Sequence, residues 1–252
     1  MEMYRGGSGP TLLCDLGYAV RGLREVFHRA GFKLRVGGLG LVKPNVCGLY
    51  HPDLTLIRRV VEFLLSSLDR VVIGETRSMI HEPASQFARL GMKSLEECFK
   101  GRVRAADLSD DEWVKVSVPN PHALQWIDLP RTVVDAAVLV NVAKAGTHVT
   151  TGMTCALKNL FGLLPQKEKY RVFHRLGVDK VIADVAQVVN PSINVAQVDG
   201  KVIVGVDPLA VDVLACELMS INPVGIEHLK LISQLRGLDL AQFRGSMEVI
   251  KI

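Results

Sequence analysis

The stretch "GLGLVKPNVCGLYHPDLTLIRRVVEFLLSSLDRVVIGET", residues 38–76, decides the fold class because two short apolar runs flank a longer amphipathic one. Residues 38–46 predict a short buried strand that is broken by Pro44. Residues 54–68 carry apolar side chains at helical spacing, and residues 69–76 are rich in the β-branched side chains typical of a strand. A strand, a helix and a second strand in this order are typical of a βαβ unit, which favours a parallel sheet.

The same alternation of apolar runs continues through the rest of the chain. It predicts a helix at 94–101, an irregular edge region at 102–119, a strand at 133–146, a helix at 180–190, a strand pair at 193–205 and a helix at 207–220. The last helix has a strong start signal, with Asp207 as the N-cap and Pro208 at the first helical position. We expect a single α/β domain over residues 1–252, with an open, mainly parallel or mixed sheet and helices on both faces.

The composition is that of a globular protein and narrows the classes of function. The 252 residues are 48% hydrophobic with a mean hydropathy of +0.24, which excludes a disordered chain. The net charge of +4 is spread over well-mixed basic and acidic residues, and only 6% of residues are aromatic, so we expect no nucleic-acid partner. No apolar run of about 18 residues and no leader pattern occur. We therefore expect a cytoplasmic protein with no membrane partner.

The five cysteines do not form a recognisable metal-binding or disulfide pattern. They are widely spaced, odd in number and contain no CxxC pair: Cys14, Cys47, Cys98, Cys155 and Cys216. Such spacing is unsuited to an iron–sulfur cluster or a structural zinc. We expect no iron–sulfur cluster in this chain, and most of the cysteines to be buried thiols in a reducing cytoplasm.

Polar side chains follow three of the predicted strands, where the ligand crevice of an open parallel sheet lies. Lys43 and Asn45 follow the first strand, Glu75 ends the second, and Asn141 and Lys144 end the strand within 133–146. Lys43 and Asn45 have an alternative interpretation as turn residues imposed by Pro44. Glu75 is either a loop charge or a carboxylate that handles a metal or a proton.

The polar segment 147–154 predicts an anion-binding helix start. His148, Thr150, Thr151 and Thr154 precede an apolar helical stripe, and we expect the helix to begin near Thr150 or Thr151. Its free N–H groups, the hydroxyl groups and Lys144 would then face an anion. Each threonine taken alone is equally suited to a simple helix cap.

Lys158 and Asn159 lie within this otherwise apolar helix, which is an expensive position for a charge. We expect Lys158 to line the anion site together with Lys144, with a solvated surface pair as the alternative. Asp212 has a similar position inside the apolar helix at 207–220, so its carboxylate must face a cation or a donor, and we expect one of the site lysines to be its partner.

Histidines are the side chains that titrate near neutral pH, and two of them flank the predicted helix. His148 and His174 are candidates for general acid and base, with Lys144 as a further catalytic candidate. His174 has the alternative interpretation of an exposed helix residue. A divalent metal held by Glu75 and Asp212 is a further hypothesis.

The string "VNVAKAGTHVTTGMTCALKNLFGLLP" with the following His174 resembles the signature of the uncharacterised family catalogued as domain of unknown function 362. Other segments follow in the family's order: "VKPNV" (42–46), "HPDLT" (51–55), "VVIGET" (71–76), "VDG" (198–200) and "DPLAVDVLACELM" (207–219). The resemblance implies an intracellular prokaryotic α/β protein, without an established reaction. Many members carry a ferredoxin-like module, but this chain has no CxxCxxC run, and its segment 201–206 is shorter than in relatives.

Two functions of different classes are consistent with these features. The first is an enzyme acting on a small anionic molecule that carries a phosphate or carboxylate. The second is a non-catalytic docking module for a separate iron–sulfur protein, which would supply the electron carrier missing here. A closed concave pocket favours the enzyme, whereas a contiguous exposed apolar patch favours the docking module. The cofactor and the oligomeric state are left open.

Overall fold

An eight-stranded mixed sheet forms the centre of the computed structural model, which describes residues 9–32, 37–46 and 48–252 apart from the side chain of Tyr170. Across the sheet the strands are β12 (Val249–Lys251), β1 (Thr11–Asp15), β11 (Lys201–Gly205), β10 (Ile193–Val198), β7 (Val138–Lys144), β2 (Leu39–Pro44), β3 (Arg70–Glu75) and β4 (Val103–Asp107). Strand β11 is antiparallel to both of its neighbours, and every other pair is parallel.

Helices connect the strands, and two small hairpins stand outside the main sheet. The helices are α1 (Ala19–Arg29), α2 (Leu54–Leu65), α3 (Pro83–Arg89), α4 (Ser94–Cys98), α5 (Arg131–Asp135), α6 (Ala156–Phe161), α7 (Lys169–Phe173), α8 (Val178–Val188), α9 (Pro208–Leu218), α10 (Glu227–Leu235) and α11 (Leu240–Ser246). The hairpins pair β5 (Trp113–Ser117) with β6 (Trp126–Pro130) and β8 (Gly146–His148) with β9 (Gly152–Thr154). Among the described residues, no helix is both long enough and apolar enough to span a bilayer.

The central strands are apolar on both faces because helices cover both. Along β7, Val140 and Val142 pack into one core with α1 and α2, whereas Leu139 packs into a second core with α6 and α8. Alternate side chains of a strand point to opposite faces of the sheet, which explains the near-continuous apolar sequence. The predicted α/β class, with an open, mainly parallel sheet and helices on both faces, is confirmed.

The stretch 38–76 forms the predicted βαβ unit. Strands β2 and β3 are parallel neighbours, and α2 connects them and buries Ile57, Val60 and Leu64 against the sheet. Pro44 does not break the strand but is its last residue, so Lys43 lies inside β2 and is fully buried.

Several other local predictions are confirmed, and one is wrong. The strand pair at 193–205 is an antiparallel hairpin with a turn at Asp199, and the Asp207 carboxylate caps α9 by accepting the Leu209 N–H at 2.9 Å. Residues 102–119 are not irregular, because they contain edge strand β4 and strand β5.

Of the four cysteines described, three are buried, Cys98 is exposed, and the predicted burial of Cys47 lies outside the described residues.

Candidate functional site

Lys43 is the centre of a buried polar network at the carboxyl ends of β2 and β3. Its Nζ donates to Glu75 Oε2 at 2.9 Å, to Asn159 Oδ1 at 2.8 Å and to the Pro44 carbonyl at 3.0 Å. An ammonium group has three donors, and all three are used. The other oxygen of Glu75 accepts the Thr76 N–H at 2.9 Å. Glu75 and Lys43 therefore neutralise and satisfy each other inside the protein.

A chain of asparagines extends this network across the sheet. Asn159 Nδ2 donates to Asn141 Oδ1 at 2.7 Å, Asn141 Nδ2 donates to Asn194 Oδ1 at 2.8 Å, and Asn194 Nδ2 donates to the Val206 carbonyl at 3.0 Å. These amides are buried and join α6 to β7 and β10. The structure therefore brings Lys43, Glu75 and Asn141 of the predicted strand ends together through Asn159 of α6, with their polar groups bound to the chain itself.

Asn45 fixes the end of β7 rather than pointing into open space. Its side chain donates to the Lys144 carbonyl at 3.2 Å and accepts the Lys144 N–H at 2.8 Å. This pair of bonds imitates one more step of strand pairing after Pro44. The side chain of Lys144 is partly exposed at the strand end.

The prediction of a helix start near Thr150 or Thr151 is wrong. Both residues lie in the tight turn between β8 and β9, and α6 begins only at Ala156. Gly152, with φ +74°, takes the left-handed conformation that interrupts a helix, and Thr154 pairs with Gly146 across the hairpin. The repeated Thr and Val residues of this segment suit a strand as well as a helix start.

The N-terminus of α6 is occupied by a carboxylate of the protein itself. Asp212 accepts the Ala156 N–H at 2.7 Å and the Leu157 N–H at 3.1 Å. The predicted pairing of Asp212 with a lysine is therefore wrong, because backbone donors at a helix start satisfy the charge instead. Burial raises the pKa of Asp212 to about 6, against the opposing effects of a hydrogen bond from Cys155 and of His228.

The turn of the β8–β9 hairpin orients the ring of His148. The His148 Nδ1 accepts the N–H groups of Thr150 at 3.2 Å and Thr151 at 3.3 Å. The proton of the neutral ring is then on Nε2. Burial and the charge of Lys158 lower the pKa of His148.

Lys158 differs from the other buried cations because no acceptor holds its ammonium group. It is partly buried on α6, yet among the described residues it has neither a hydrogen bond nor an ion pair. Burial lowers the pKa of Lys158 to about 8; the nearby Asp179 carboxylate opposes this shift and the Lys43 charge adds to it. A partly buried cation that the described residues leave without an acceptor is a candidate for ligand binding.

Asp179 and His228 form a hydrogen-bonded pair, and neither residue was predicted from the sequence. His228 Nδ1 lies 2.7 Å from Asp179 Oδ1, and because an ionised carboxylate can only accept, Nδ1 is the donor. The His228 ring is fully buried, and none of the residues that the structure describes is a hydrogen-bond partner of its Nε2. The two residues lie in the first turns of α8 and α10, about 50 positions apart, so no local motif reveals the pair.

Electrostatic interactions and one hydrogen bond link four residues that are called here the amine–histidine cluster: His148, Lys158, Asp179 and His228. The charge of Asp179 acts on both Lys158 and His148, and His228 also acts on His148. The hairpin approaches the start of α10 directly, since a Cβ on Gly152 would lie 2.6 Å from the Ile226 Cδ1. Three helix starts and one hairpin thus bring a primary amine and two imidazoles together.

The remaining predicted residues lie outside this cluster. His174 is exposed in the 3-10 turn His174–Leu176, and Thr154 is buried in β9. Glu75 and Asp212 belong to separate hydrogen-bond networks, and no group of three or more His, Cys, Asp or Glu side chains that could hold a metal lies among the described residues.

A comparison with curated proteins finds none that matches this chain. A family model matches residues 41–217, a range that contains Lys158 and Asp179 and ends before His228. The matched range covers more than half of the chain and includes the asparagine network, the β8–β9 hairpin and α6. The protein therefore belongs to the family described as Domain of unknown function (DUF362).

Proposed function

We propose that the protein is an enzyme that acts on a small anionic molecule, carrying a phosphate or carboxylate, at the amine–histidine cluster. The observation that carries the proposal is the partly buried Lys158 ammonium, which forms no ion pair or hydrogen bond within the described part of the chain. A pKa of about 8 leaves the ammonium form dominant at pH 7. In a medium of low dielectric constant such a charge attracts an anion strongly.

The same cluster supplies groups that can move protons. Asp179 holds His228 so that Nε2 presents a lone pair, the arrangement in which a carboxylate orients a histidine base. The His148 ring presents Nε2–H and can donate. A base and an acid beside an anion-binding amine support acid–base chemistry on the bound molecule.

The test measures thermal unfolding of the full chain with sulfate, phosphate and succinate. We expect a rise in Tm that follows mass action, equivalent to about 2.7 kcal/mol at a hundredfold excess over Kd. The rise should disappear in Lys158→Met. The matched control is Lys167→Met, which removes an exposed lysine paired with Glu82 and should retain the rise.

A rise that persists in Lys158→Met, or that is absent from the unsubstituted protein, would contradict the proposal. The second candidate, a docking module for a separate iron–sulfur protein, would then be favoured. Its support is a set of exposed apolar side chains on loops at the same edge of the sheet: Leu49, Met79, Ile80 and Val149.

We keep the cytoplasm as the predicted compartment, and the four free thiols among the described residues support a reducing compartment.

A further inference from the structure

The nitrogen of Lys158 is placed as a nucleophile as well as a cation. We propose that the molecule bound here carries an aldehyde or ketone next to its anionic group, and that Lys158 binds it covalently as an imine. This inference rests on the proposed function and names the class of substrate: a small carbonyl-bearing acid.

Lys43 and Lys169, two other lysines near this edge of the sheet, differ from Lys158 because acceptors bind their ammonium groups. Lys43 donates to three acceptors, and Lys169 donates to Thr76 Oγ1 at 2.5 Å and to the Arg77 carbonyl at 2.6 Å. A nitrogen held in this way keeps its protons and cannot attack. Lys158 alone of the three has no acceptor among the described residues.

The surroundings of Lys158 favour its neutral form without removing it from reach. The Asp179 carboxylate of α8 stabilises the ammonium form in part, but it is also hydrogen-bonded to His228 of α10, and the effect of burial on the pKa is larger. Lys43 of β2 and the ring of His148 in the hairpin add no negative charge. With a pKa of about 8, roughly a tenth of the amine is neutral at pH 7. A desolvated lysine of this kind is an activated nucleophile.

His228 supplies the proton transfers that imine formation needs. The Nζ lone pair bonds to the carbonyl carbon while the carbonyl π pair moves to oxygen. His228 Nε2 accepts the two amine protons in turn and passes them to that oxygen, which leaves as water while the nitrogen pair closes the C=N bond. The net reaction converts an amine and a carbonyl compound into an imine and water, so atoms and protons balance without a further reactant.

The experiment traps this imine in the full chain. The protein is mixed with glyoxylate at pH 7.5, reduced with sodium borohydride and digested, and carboxymethyl groups are located by mass spectrometry. We expect Lys158 to be labelled on the order of tenfold faster than the exposed Lys167, because its neutral fraction is larger. Acetaldehyde, which lacks the anionic group, should label Lys158 more slowly than glyoxylate does.

The variants separate this inference from the proposed function. His228→Gln should slow the labelling of Lys158, because the group that accepts the amine protons is lost. If Lys158 is labelled no faster than Lys167 in the unsubstituted protein, the imine proposal is overturned, and a sulfate effect that still requires Lys158 would leave the proposed function standing. Loss of both results would remove both proposals.

Discussion

Lys43 and Lys158 show how partners decide what a buried cation does. Lys43 is completely buried and satisfied by one carboxylate, one amide and one carbonyl, so it serves the fold. Lys158 lies on α6, and no acceptor among the described residues binds its ammonium group. Burial alone therefore does not distinguish a structural lysine from a candidate site residue, and the hydrogen-bond partners must be counted as well.

Asp212 gives a prediction at the scale of one residue. In Asp212→Asn, an N–H group replaces one carboxylate oxygen, so either Ala156 or Leu157 loses its acceptor, and we expect the free energy of unfolding to fall by about 1–3 kcal/mol at pH 7. Urea unfolding measures the change. Asp15→Asn, which removes an exposed carboxylate paired with Lys201, is the control and should change it little.

The difference in the free energy of unfolding between the unsubstituted protein and Asp212→Asn should depend on pH. Because burial raises the pKa of Asp212 from 3.8 to about 6, the native state holds its proton more tightly than the unfolded state does. The contribution of this group to stability therefore decreases as the pH rises from about 4 to about 6. The stability advantage of the unsubstituted protein over Asp212→Asn should shrink across the same window, and an advantage that grows there would contradict the assignment.

At the scale of elements, the β8–β9 hairpin positions His148 against α10. Its turn depends on Gly152, which has a positive φ and lies against Ile226, two residues before His228. The hairpin separates β7 from α6, so the helix start falls where Asp212 can reach it rather than at the threonines. One tight turn therefore fixes both the orientation of His148 and the position of Lys158.

Gly152→Ala tests this role of the hairpin. The added Cβ would strain the backbone and press on Ile226, so we expect a loss of about 1–3 kcal/mol in stability and weaker sulfate-induced stabilisation. Gly200→Ala is the matched control because nothing lies within 4 Å of its Cβ and its turn belongs to the β10–β11 hairpin. Equal effects of the two substitutions on sulfate binding would exclude a special role for the β8–β9 turn.

At the scale of the whole molecule, one polar network ties the parallel strands to α6. Lys43 of β2 and Glu75 of β3 contact Asn159 of α6, and the amides continue through Asn141 of β7 to Asn194 of β10. The network holds α6 at the end of the sheet where the amine–histidine cluster lies. Its polar groups are satisfied internally, so it organises the site without forming its open part.

Removing one residue of the Lys43–Glu75 ion pair should lower the free energy of unfolding more than removing both residues. Lys43→Met leaves the Glu75 carboxylate buried without a cation, and we expect a loss of about 3–5 kcal/mol. The double variant K43M/E75M should recover a large part of that loss, since neither charge remains. Urea unfolding of the two single variants and the double variant measures the coupling, and additive losses would show that the pair does not act as a unit.

The amino-acid sequence by itself determined the α/β class, the βαβ unit at 38–76, the cap at Asp207 and the collection of polar residues at the strand ends. These features follow from local periodicity, turn chemistry and the rule that parallel strands end at one edge. It also identified Lys158 and Asp212 as charges that need an explanation, because both interrupt apolar helices.

Only the tertiary structure decided which partners the charged groups of Lys43, Lys158 and Asp212 have. The backbone of α6 satisfies Asp212, the asparagine network engages Lys43, and Lys158 has the charge of Asp179 nearby, whose hydrogen-bond partner is His228 of a distant helix. Such pairings depend on how helices pack across the sheet, and sequence spacing carries no signal for contacts between residues about 50 or more positions apart. The hydrogen-bond partners of a buried polar group are thus a property of the packed fold.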